Sequence, residues 1–485
     1  MKKSVGIKQG VFSLLLGMMA FPVCSAESNL MLSDLGDFNQ PSEPISEKNV
    51  KTPSPGAPNL TKPKVDVPYD VNQTLTVADL FKVPVKNAPS VLLAQAKIER
   101  LQAQAAGVSA QNSTHLNLEG RLSWREYQNQ AQDNPRLVLH LSKNLYDGGQ
   151  LSQARQAAEI AAQASEQSLW LSSGQYRQAL LKAYFQVLLA DMQYRVLNER
   201  MAVVYVGLDK AKDQNETGEV SDIDLAKKQY DYQQILTQRS QAEMAQRQTR
   251  LALANLLGFP DAIPDKLQVP NLKSIHLTIQ RLPALGVLQK LALQRSPALL
   301  ALQKQVAAAQ AKMASAKAKG GSRISADAWV GALSAYPERF EGHWRLDLNI
   351  VAPLYDAGEN KADIAQARAG LHQALARLQA KTQQIRDAVS ADYFQLKLAQ
   401  KQQQQNQAYG DYADLYLDYS RALYEWEEKT DLGDAMVRLS DVDAQALKTE
   451  LEMALAWTDL LLQLGVEPAP NWQVQAVKSL FAQMK

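Results

Sequence analysis

The chain has 485 residues, of which 21% are charged, and its 52 basic and 50 acidic side chains give a formal net charge of +2 at pH 7. A charge balance this close to neutral provides no basic field to attract nucleic acid. Its one cysteine excludes an internal disulfide, and the length would allow several ordinary domains unless one unit is repeated.

The first segment is typical of a cleavable secretory leader, residues 1–26. Lysines precede a short apolar stretch at 11–23, and Ala26 closes a small-residue cleavage pattern. This stretch is too short to span a bilayer as a helix. Cys24 lies inside the leader, so the mature chain would have no thiol and a formal charge of −1. Acylation of Cys24 is the less favoured alternative, because Val23 stands where lipoprotein leaders have a small residue.

After a Pro-rich lead-in comes a tandem repeat with a period of about 208 residues. Three short landmarks recur in the same order: Asn87–Ser90 with Arg295–Ala298, Leu145–Gly149 with Leu354–Gly358, and Leu256–Gly258 with Gln463–Gly465. Each half is predicted to contain a helix, a strand pair and a long helical hairpin. The predicted boundaries are 27–74 for the lead-in, 75–259 for the first repeat, 260–285 for the inter-repeat connection, 286–465 for the second repeat and 466–485 for a C-terminal tail.

The strands are predicted from alternating apolar and polar residues, near 116–126 and 136–143 in the first half and near 323–333 and 343–351 in the second. A polar turn around Asp133–Pro135 is expected to join the first pair. Strands with one apolar and one charged face occur in a sheet packed on a soluble core and also in a sheet between lipid and water. The alternation alone fits both structures equally well.

The helical hairpins are predicted at 150–258 and 359–464, where the sequence is free of proline and rich in Ala, Gln, Leu, Lys and Arg. A helix from Gln150 to about Asn215 would be about 95 Å long, longer than an ordinary globular domain requires. Each hairpin has one polar break, at 216–222 and 430–434. There, Gly218 and Gly433 are expected to end one helix, and a Ser or Asp to cap the next. The Gln402–Gln405 run is predicted to be a solvated helix face.

With these repeats, junctions and tips, the sequence resembles the TolC-like outer-membrane efflux proteins over about Leu75 to Pro468. The most specific motifs are the strand-to-helix junctions, at Asp147, Gly148, Gly149, Asp356 and Gly358. The resemblance implies a mainly α fold with membrane β, built from a duplicated helix–β-hairpin–long helical hairpin unit. It also implies a homotrimer that forms a 12-stranded outer-membrane β-barrel continuous with a long periplasmic α-barrel. The implied partners are outer-membrane lipid, a periplasmic adaptor (membrane fusion) protein and an inner-membrane transporter, either an ABC or a proton-driven one.

The same resemblance implies roles for the tips. Acidic residues that narrow the periplasmic entrance match Asp222, Asp224, Asp441 and Asp443. The adaptor-docking tips match Gly218, Glu219, Val220, Leu432, Gly433 and Asp434. Where some members have a basic latch residue, this chain has Ala435, and Arg438 is the nearest base. The plainer alternative is that each Asp caps a helix.

No metal-ligand spacing, P-loop, dinucleotide fingerprint or serine-nucleophile motif occurs in the sequence, so we expect no enzyme and no cofactor. The expected function is the exit duct of a tripartite exporter. The segment 421–436 resembles the subgroup that secretes large adhesins by type I secretion. Efflux of small toxic molecules stays open as an alternative, and so does a periplasmic coiled coil without a pore.

Overall fold

The computed structural model describes residues 74–122, 124–127, 130–133, 136–262, 264–334, 341–426 and 432–473. The predicted leader, most of the lead-in and the end of the tail lie outside these residues. Helices dominate the described chain. They are α1 (Val77–Lys82), α2 (Pro89–Gln111), α3 (Gln150–Glu216), α4 (Asp222–Leu257), α5 (Lys273–Ile279), α6 (Leu285–Arg295), α7 (Pro297–Lys319), α8 (Glu359–Glu425) and α9 (Leu432–Gln463). None of these helices combines enough length with enough apolar side chains to serve as a membrane span.

The two halves of the chain repeat the same helices, and two of the repeated pairs are equal in length. Helices α2 and α7 have 23 residues each and begin with Pro89 and Pro297 at the first helical position, where the missing N–H costs no hydrogen bond. Helices α3 and α8 have 67 residues each. Helices α4 and α9 run back along them, so each half ends in a long helical hairpin.

Four strands form the main sheet, in the order β1 (His115–Arg121), β4 (Arg136–Tyr146), β5 (Arg323–Ser334) and β6 (Glu341–Val351), all antiparallel. Strands β4 and β5 join the first half of the chain to the second. Strands β1 and β6 are the edges of this sheet in the chain. The four strands pair within one chain. The outer side of each edge strand leaves backbone N–H and C=O groups unpaired in this chain.

The first predicted hairpin differs from the structure at its turn. A separate ribbon of β2 (Trp124–Tyr127) and β3 (Gln130–Asp133) continues the register in which Arg121 pairs with Arg136. The chain therefore reverses between Tyr127 and Gln130, and Asp133 lies in a strand rather than in the turn. Asn134 and Pro135 lie outside the described residues. The polar residues around Asp133 suggested a turn. Backbone hydrogen bonds hold a two-stranded ribbon together, so polar side chains can also occur in its strands.

The two faces of the main sheet differ sharply in polarity. The apolar side chains along one face are exposed: Leu116, Leu118, Leu137, Leu139, Leu141, Trp344, Leu346, Leu348 and Ile350. The opposite face carries polar and charged groups, among them Glu119, His140 and Asp327. A sheet that packed on a soluble core would bury its apolar face instead.

The hydrophobic core lies where the middle of α3 packs against the second half of α9. Tyr184, Phe185 and Trp457 are almost completely buried there. The hydroxyl oxygen of Tyr184 lies 2.8 and 2.6 Å from the backbone oxygens of Leu75 and Gln268, so its single O–H donates to one or the other of them. This core therefore holds both the start of the first repeat and the inter-repeat connection against the long helices.

The Gln402–Gln405 run is largely solvated, as predicted, because Gln403, Gln404 and Gln405 are exposed. The inter-repeat connection nevertheless contacts it. The Nδ1 atom of His276 on α5 lies 3.0 Å from Oε1 of Gln403. Its Nε2 atom lies 3.8 Å from Oε1 of Glu450 on α9. The Oε1 atom of Gln402 is buried. Helix α5 thus contacts both helices of the second hairpin, which a single-helix pattern does not reveal.

Candidate functional site at the helix ends and hairpin tips

The two strand-to-helix junctions have the same hydrogen bonds. In the first, Oδ1 and Oδ2 of Asp147 accept from the backbone N–H groups of Gly149 and Leu151, at 2.9 and 2.8 Å. In the second, Asp356 accepts from Gly358 and Asn360 in the same way, at 3.0 and 2.9 Å. Because these N–H groups begin the long helices, each aspartate satisfies donors that a helix start leaves open.

Both junctions also need a left-handed backbone. Gly149 and Gly358 have φ values of 86° and 92°, and Gly148 has a φ of 65°. Ala357, which stands where the first junction has its first glycine, Gly148, adopts a φ of 51° despite its side chain. The predicted junction residues therefore turn the chain from strand to helix in both halves.

The first tip is a closed turn between α3 and α4. Gly218, with a φ of 79°, follows α3, and Glu219 N–H donates to the oxygen of Gln214 at 2.8 Å. This bond is the Schellman arrangement that ends many helices. The amide of Asn215 donates to the Val220 oxygen at 2.9 Å and so fixes the far side of the turn. The tip therefore has a defined shape rather than a free loop.

The two acidic residues after the first tip contact only their own turn through the hydrogen bonds observed. Oδ1 of Asp222 accepts from Asn215 at 3.0 Å. The Ser221 hydroxyl accepts from the backbone N–H of Asp224 at 3.2 Å and lies 2.7 Å from its carboxylate. Ser221 is thus the cap of α4, and both carboxylates lie in its first turn, where a negative charge favours the helix dipole.

The second tip differs from the prediction at its glycine. Helix α8 ends at Glu425, and Gly433 lies in the first turn of α9 instead of between the helices. Leu432 and Asp434 flank it in the same turn. A Cβ atom at Gly433 would lie 2.9 Å from Cγ2 of Val203 on α3. This glycine therefore permits close packing of two helices and does not end one.

A polar seam joins α3 to α9 just above this tip, which we call the α3–α9 seam: Arg195, Glu199 and Arg200 on α3, and Ser440, Asp441 and Asp443 on α9. Arg200 Nη2 lies 2.5 Å from Asp441 Oδ2, and Arg195 Nη2 lies 3.5 Å from Asp443 Oδ2. The hydroxyl of Ser440 donates to Glu199. All of these groups are at least partly exposed, so each ion pair contributes about 0.2–1 kcal/mol.

The three α3 residues of this seam were not predicted as site residues. They lie about 240 positions away from their partners, and nothing in their local pattern distinguishes them from other helix-surface charges. The sequence pointed to these contacts only through the repeat, because the repeat predicts that the first and second hairpins lie side by side.

Arg438, the base nearest the latch position, interacts within its own hairpin. Its Nε atom donates to Asp434 Oδ2 at 2.7 Å, and its guanidinium lies 5.0 Å from the ring centre of Tyr416 on α8. Ala435, at the latch position itself, is completely buried. The ion pairs of the α3–α9 seam are therefore made by Arg195 and Arg200 and not by Arg438.

The comparison with known families decides what these features belong to. The family model described as outer membrane efflux protein matches residues 84–259 and 288–466, which is well over half of the chain. The chain belongs to this outer membrane efflux protein family. Both matched stretches coincide with the two halves of the duplicated fold. No curated protein sequence matches the chain.

Solved structures share the fold of this efflux protein at low sequence identity. CusC is 22% identical and superposes with a TM-score of 0.67, over 80% of this chain and 92% of its own. CmeC of Campylobacter jejuni, described as an outer membrane channel, is 15% identical with a TM-score of 0.66, over 83% and 88% of the two chains. MtrE of Neisseria gonorrhoeae, described as an outer membrane channel in its open state, is 18% identical with a TM-score of 0.62, over 81% and 89%.

Membership fixes the general role of this chain as an outer-membrane efflux channel of the TolC type with a long periplasmic helical barrel. Channels of the family form trimers and work with a periplasmic adaptor and an inner-membrane transporter. The family is one of transport ducts and not of enzymes. In the described parts of the chain, no group of three or more His, Cys, Asp or Glu side chains is arranged to hold a metal ion.

Two carboxylates interact between α8 and α9 in the helical part of this efflux protein. Burial raises the pKa of Asp392 to about 7, and the charge of Asp459 adds to the shift. Burial also raises the pKa of Asp459, while Lys182 on α3 acts in the opposite direction. The Oδ2 atom of Asp392 is buried and has no hydrogen-bond partner among the described residues. Asp392 is therefore a group that the folded chain prefers to keep protonated.

The wild type is expected to become less stable as pH rises from about 4 to about 7, and an Asp392→Asn variant is expected not to show this decrease. Folded Asp392 holds its proton more tightly than the unfolded chain does, so its contribution is full below the unfolded pKa and is lost as pH rises through the folded pKa. The shift corresponds to roughly 2–4 kcal/mol. Melting followed by circular dichroism in detergent, at about pH 5 and about pH 8, measures it.

The exposed carboxylate of Asp387, on the same helix, provides a matched control. An Asp387→Asn variant should keep the lower melting temperature of the wild type at the higher pH. If Asp392→Asn keeps it as well, the buried carboxylate is not its source.

Proposed function

We propose that the chain is one subunit of a homotrimeric exit duct in the outer membrane. The exposed apolar face of the main sheet, opposite a charged face, is the observation that carries this proposal. Such a sheet suits contact with lipid on one side and water on the other. Four strands are too few to close a barrel, but the β1 edge of one copy and the β6 edge of the next could pair, and three copies would then supply 12 strands.

The α3–α9 seam supports a proposal for the entrance. In the resting trimer, Asp441 and Asp443 would hold α9 against α3, and with it the second hairpin of each subunit. Asp222 and Asp224 would add negative charge at the entrance from the first tip. Opening would then require the second hairpin to leave the first, at a cost set by three copies of the seam.

The cargo that we propose is a large protein, such as an adhesin, delivered by type I secretion. Residues 421–436, which resemble the adhesin-exporting subgroup, surround the second tip, where Tyr424 and Trp426 are exposed. In such a system an ATP-driven inner-membrane transporter and a periplasmic adaptor would meet the tips of both hairpins. The energy for transport would come from that transporter.

Efflux of small molecules is the second candidate, and the efflux description of the matching family favours it. The duct would be the same for both cargoes, so its geometry does not separate them. A non-pore coiled coil would leave the exposed apolar face of the sheet without a role.

The surface and secreted proteins of a strain that lacks this chain, compared with those of its parent, separate the candidates. Selective loss of one very large repeat-containing protein is expected, and re-expression of the chain should restore it. An unchanged set of surface and secreted proteins, together with increased sensitivity to toxic compounds, would overturn secretion in favour of small-molecule efflux.

A further inference from the structure

The polar face of the main sheet contains a histidine held between two carboxylates. The Nδ1 atom of His140 on β4 lies 2.6 Å from Oε1 of Glu119 on β1. Its Nε2 atom lies 3.0 Å from Oδ1 of Asp327 on β5. The side chains of His140 and Asp327 are largely buried, at 17% and 16% exposure, while that of Glu119 is 43% exposed. The contact with Asp327 links the first half of the chain to the second.

Groups on β5 and β6 extend this arrangement. The Trp329 ring stacks on His140 with 4.5 Å between ring centres and 9° between planes. The guanidinium of Arg345 lies 5.2 Å from the Trp329 ring centre and pairs with Asp347 at 2.6 Å. The imidazole is therefore fixed in orientation by a flat aromatic neighbour as well as by its two carboxylates.

The geometry has a consequence for the proton on His140. Both ring nitrogens face carboxylate oxygens, and a carboxylate only accepts hydrogen bonds. A neutral imidazole has one N–H, so it can donate to Glu119 or Asp327 but not to both. The second oxygen of Asp327 already accepts from the amide of Asn349 at 2.8 Å. The complete set of contacts is thus that of a protonated ring, which cancels one of two negative charges.

We propose that His140 determines how strongly the membrane-spanning part of the pore prefers cations over anions. This inference rests on the proposed trimeric pore, in which three copies of Glu119, His140 and Asp327 would form a ring around the water-filled interior. Rings of carboxylates make pores cation-selective. When His140 loses its proton, each copy loses one positive charge from this ring, so the preference for cations increases as pH rises.

By the strand alternation, Arg121 on β1 and Arg323 on β5 share this face with His140. Asp347 and Arg345 on β6 pair with each other and cancel. His115 on β1 and His343 on β6 lie on the same face by their position in the strand alternation, so the test has to separate them from His140. Asp392, in the helical region, also titrates near pH 7 but is unchanged in every variant below.

The measurement is the reversal potential of single channels in a potassium chloride gradient across planar bilayers, with equal pH on both sides. For the wild type, the ratio of potassium to chloride permeability is expected to rise about threefold from about pH 5.5 to about pH 8. Glutamine at position 140 carries no charge at either pH, so His140→Gln should have a high ratio at both. Lysine stays charged, so His140→Lys should have a low ratio at both.

His115→Gln and His343→Gln are the matched controls and should keep the pH response of the wild type. All variants are first checked as heat-modifiable trimers, so that a misfolded protein is not counted. A wild-type pH response in His140→Gln, or its loss in either control, would overturn the assignment to His140. A wild-type trimer that forms no channel would instead overturn the pore on which the inference rests.

Discussion

Replacing Asp441 and Asp443 together with alanine is expected to raise the single-channel conductance of the resting protein about three- to tenfold. The change removes both ion pairs of the α3–α9 seam, from Arg195 and Arg200. Each pair contributes only about 0.2–1 kcal/mol because it is partly exposed. Three subunits with two pairs each nevertheless give a total of a few kcal/mol, and each 1.4 kcal/mol shifts a closed–open equilibrium about tenfold.

Two further variants separate the seam from the entrance charge. Arg200→Ala removes the shorter ion pair but leaves every carboxylate in place, so it should also raise the conductance. The matched control is Asp222→Ala combined with Asp224→Ala, which removes the same number of negative charges from residues bonded only within the first tip. An equal increase in this control would assign the effect to charge, and no increase in the Asp441 and Asp443 variant would remove the seam as a restraint.

Replacing Gly218 with valine is expected to abolish export while trimers still reach the outer membrane. A branched side chain at a φ of 79° costs roughly 1–2 kcal/mol or more, which would open the turn that presents Glu219 and Val220. The long hairpin behind the turn retains its own packing. Export of the cargo, together with heat-modifiable trimers in membrane extracts, measures both parts of the prediction.

Asparagine at the same position provides the control, because it tolerates the left-handed region and should leave export intact. No neighbouring atom lies within 4 Å of a Cβ at Gly218, so the strain is in the backbone alone. Normal export with valine at Gly218 would remove the docking proposal for the first tip. Gly433 is unsuitable for this test, since any side chain there would push against Val203.

Local patterns in the sequence were enough to indicate the long helices, the strand alternation and the family. Proline-free stretches and a repeated Leu-Tyr-Asp junction are properties of neighbouring residues, and neighbouring residues determine helix caps and strand faces. The junction aspartates illustrate this, because Asp147 and Asp356 bond to backbone groups within four residues of themselves.

Features that depend on distant parts of the chain could not be predicted in the same way. The role of Gly433 depends on Val203, and the pairs of the α3–α9 seam join residues about 240 positions apart. The contact between the glutamine run and His276 was not predicted, because His276 belongs to the inter-repeat connection. A glycine in a polar segment is compatible with a turn and with a close contact between helices. Only the packing of the folded chain distinguishes these two roles.

The equal lengths of α3 and α8 limit how this protein can change over evolutionary time. Each has 67 residues, so both hairpins extend by about 100 Å from their strand junctions if the helices are straight. An insertion or deletion in one helix alone would leave the two tips at different heights and break the contacts between the hairpins. A lineage that adapts to a wider or narrower periplasm would therefore have to gain or lose helical turns in both halves together, so the two copies of the ancient duplication cannot diverge freely in size.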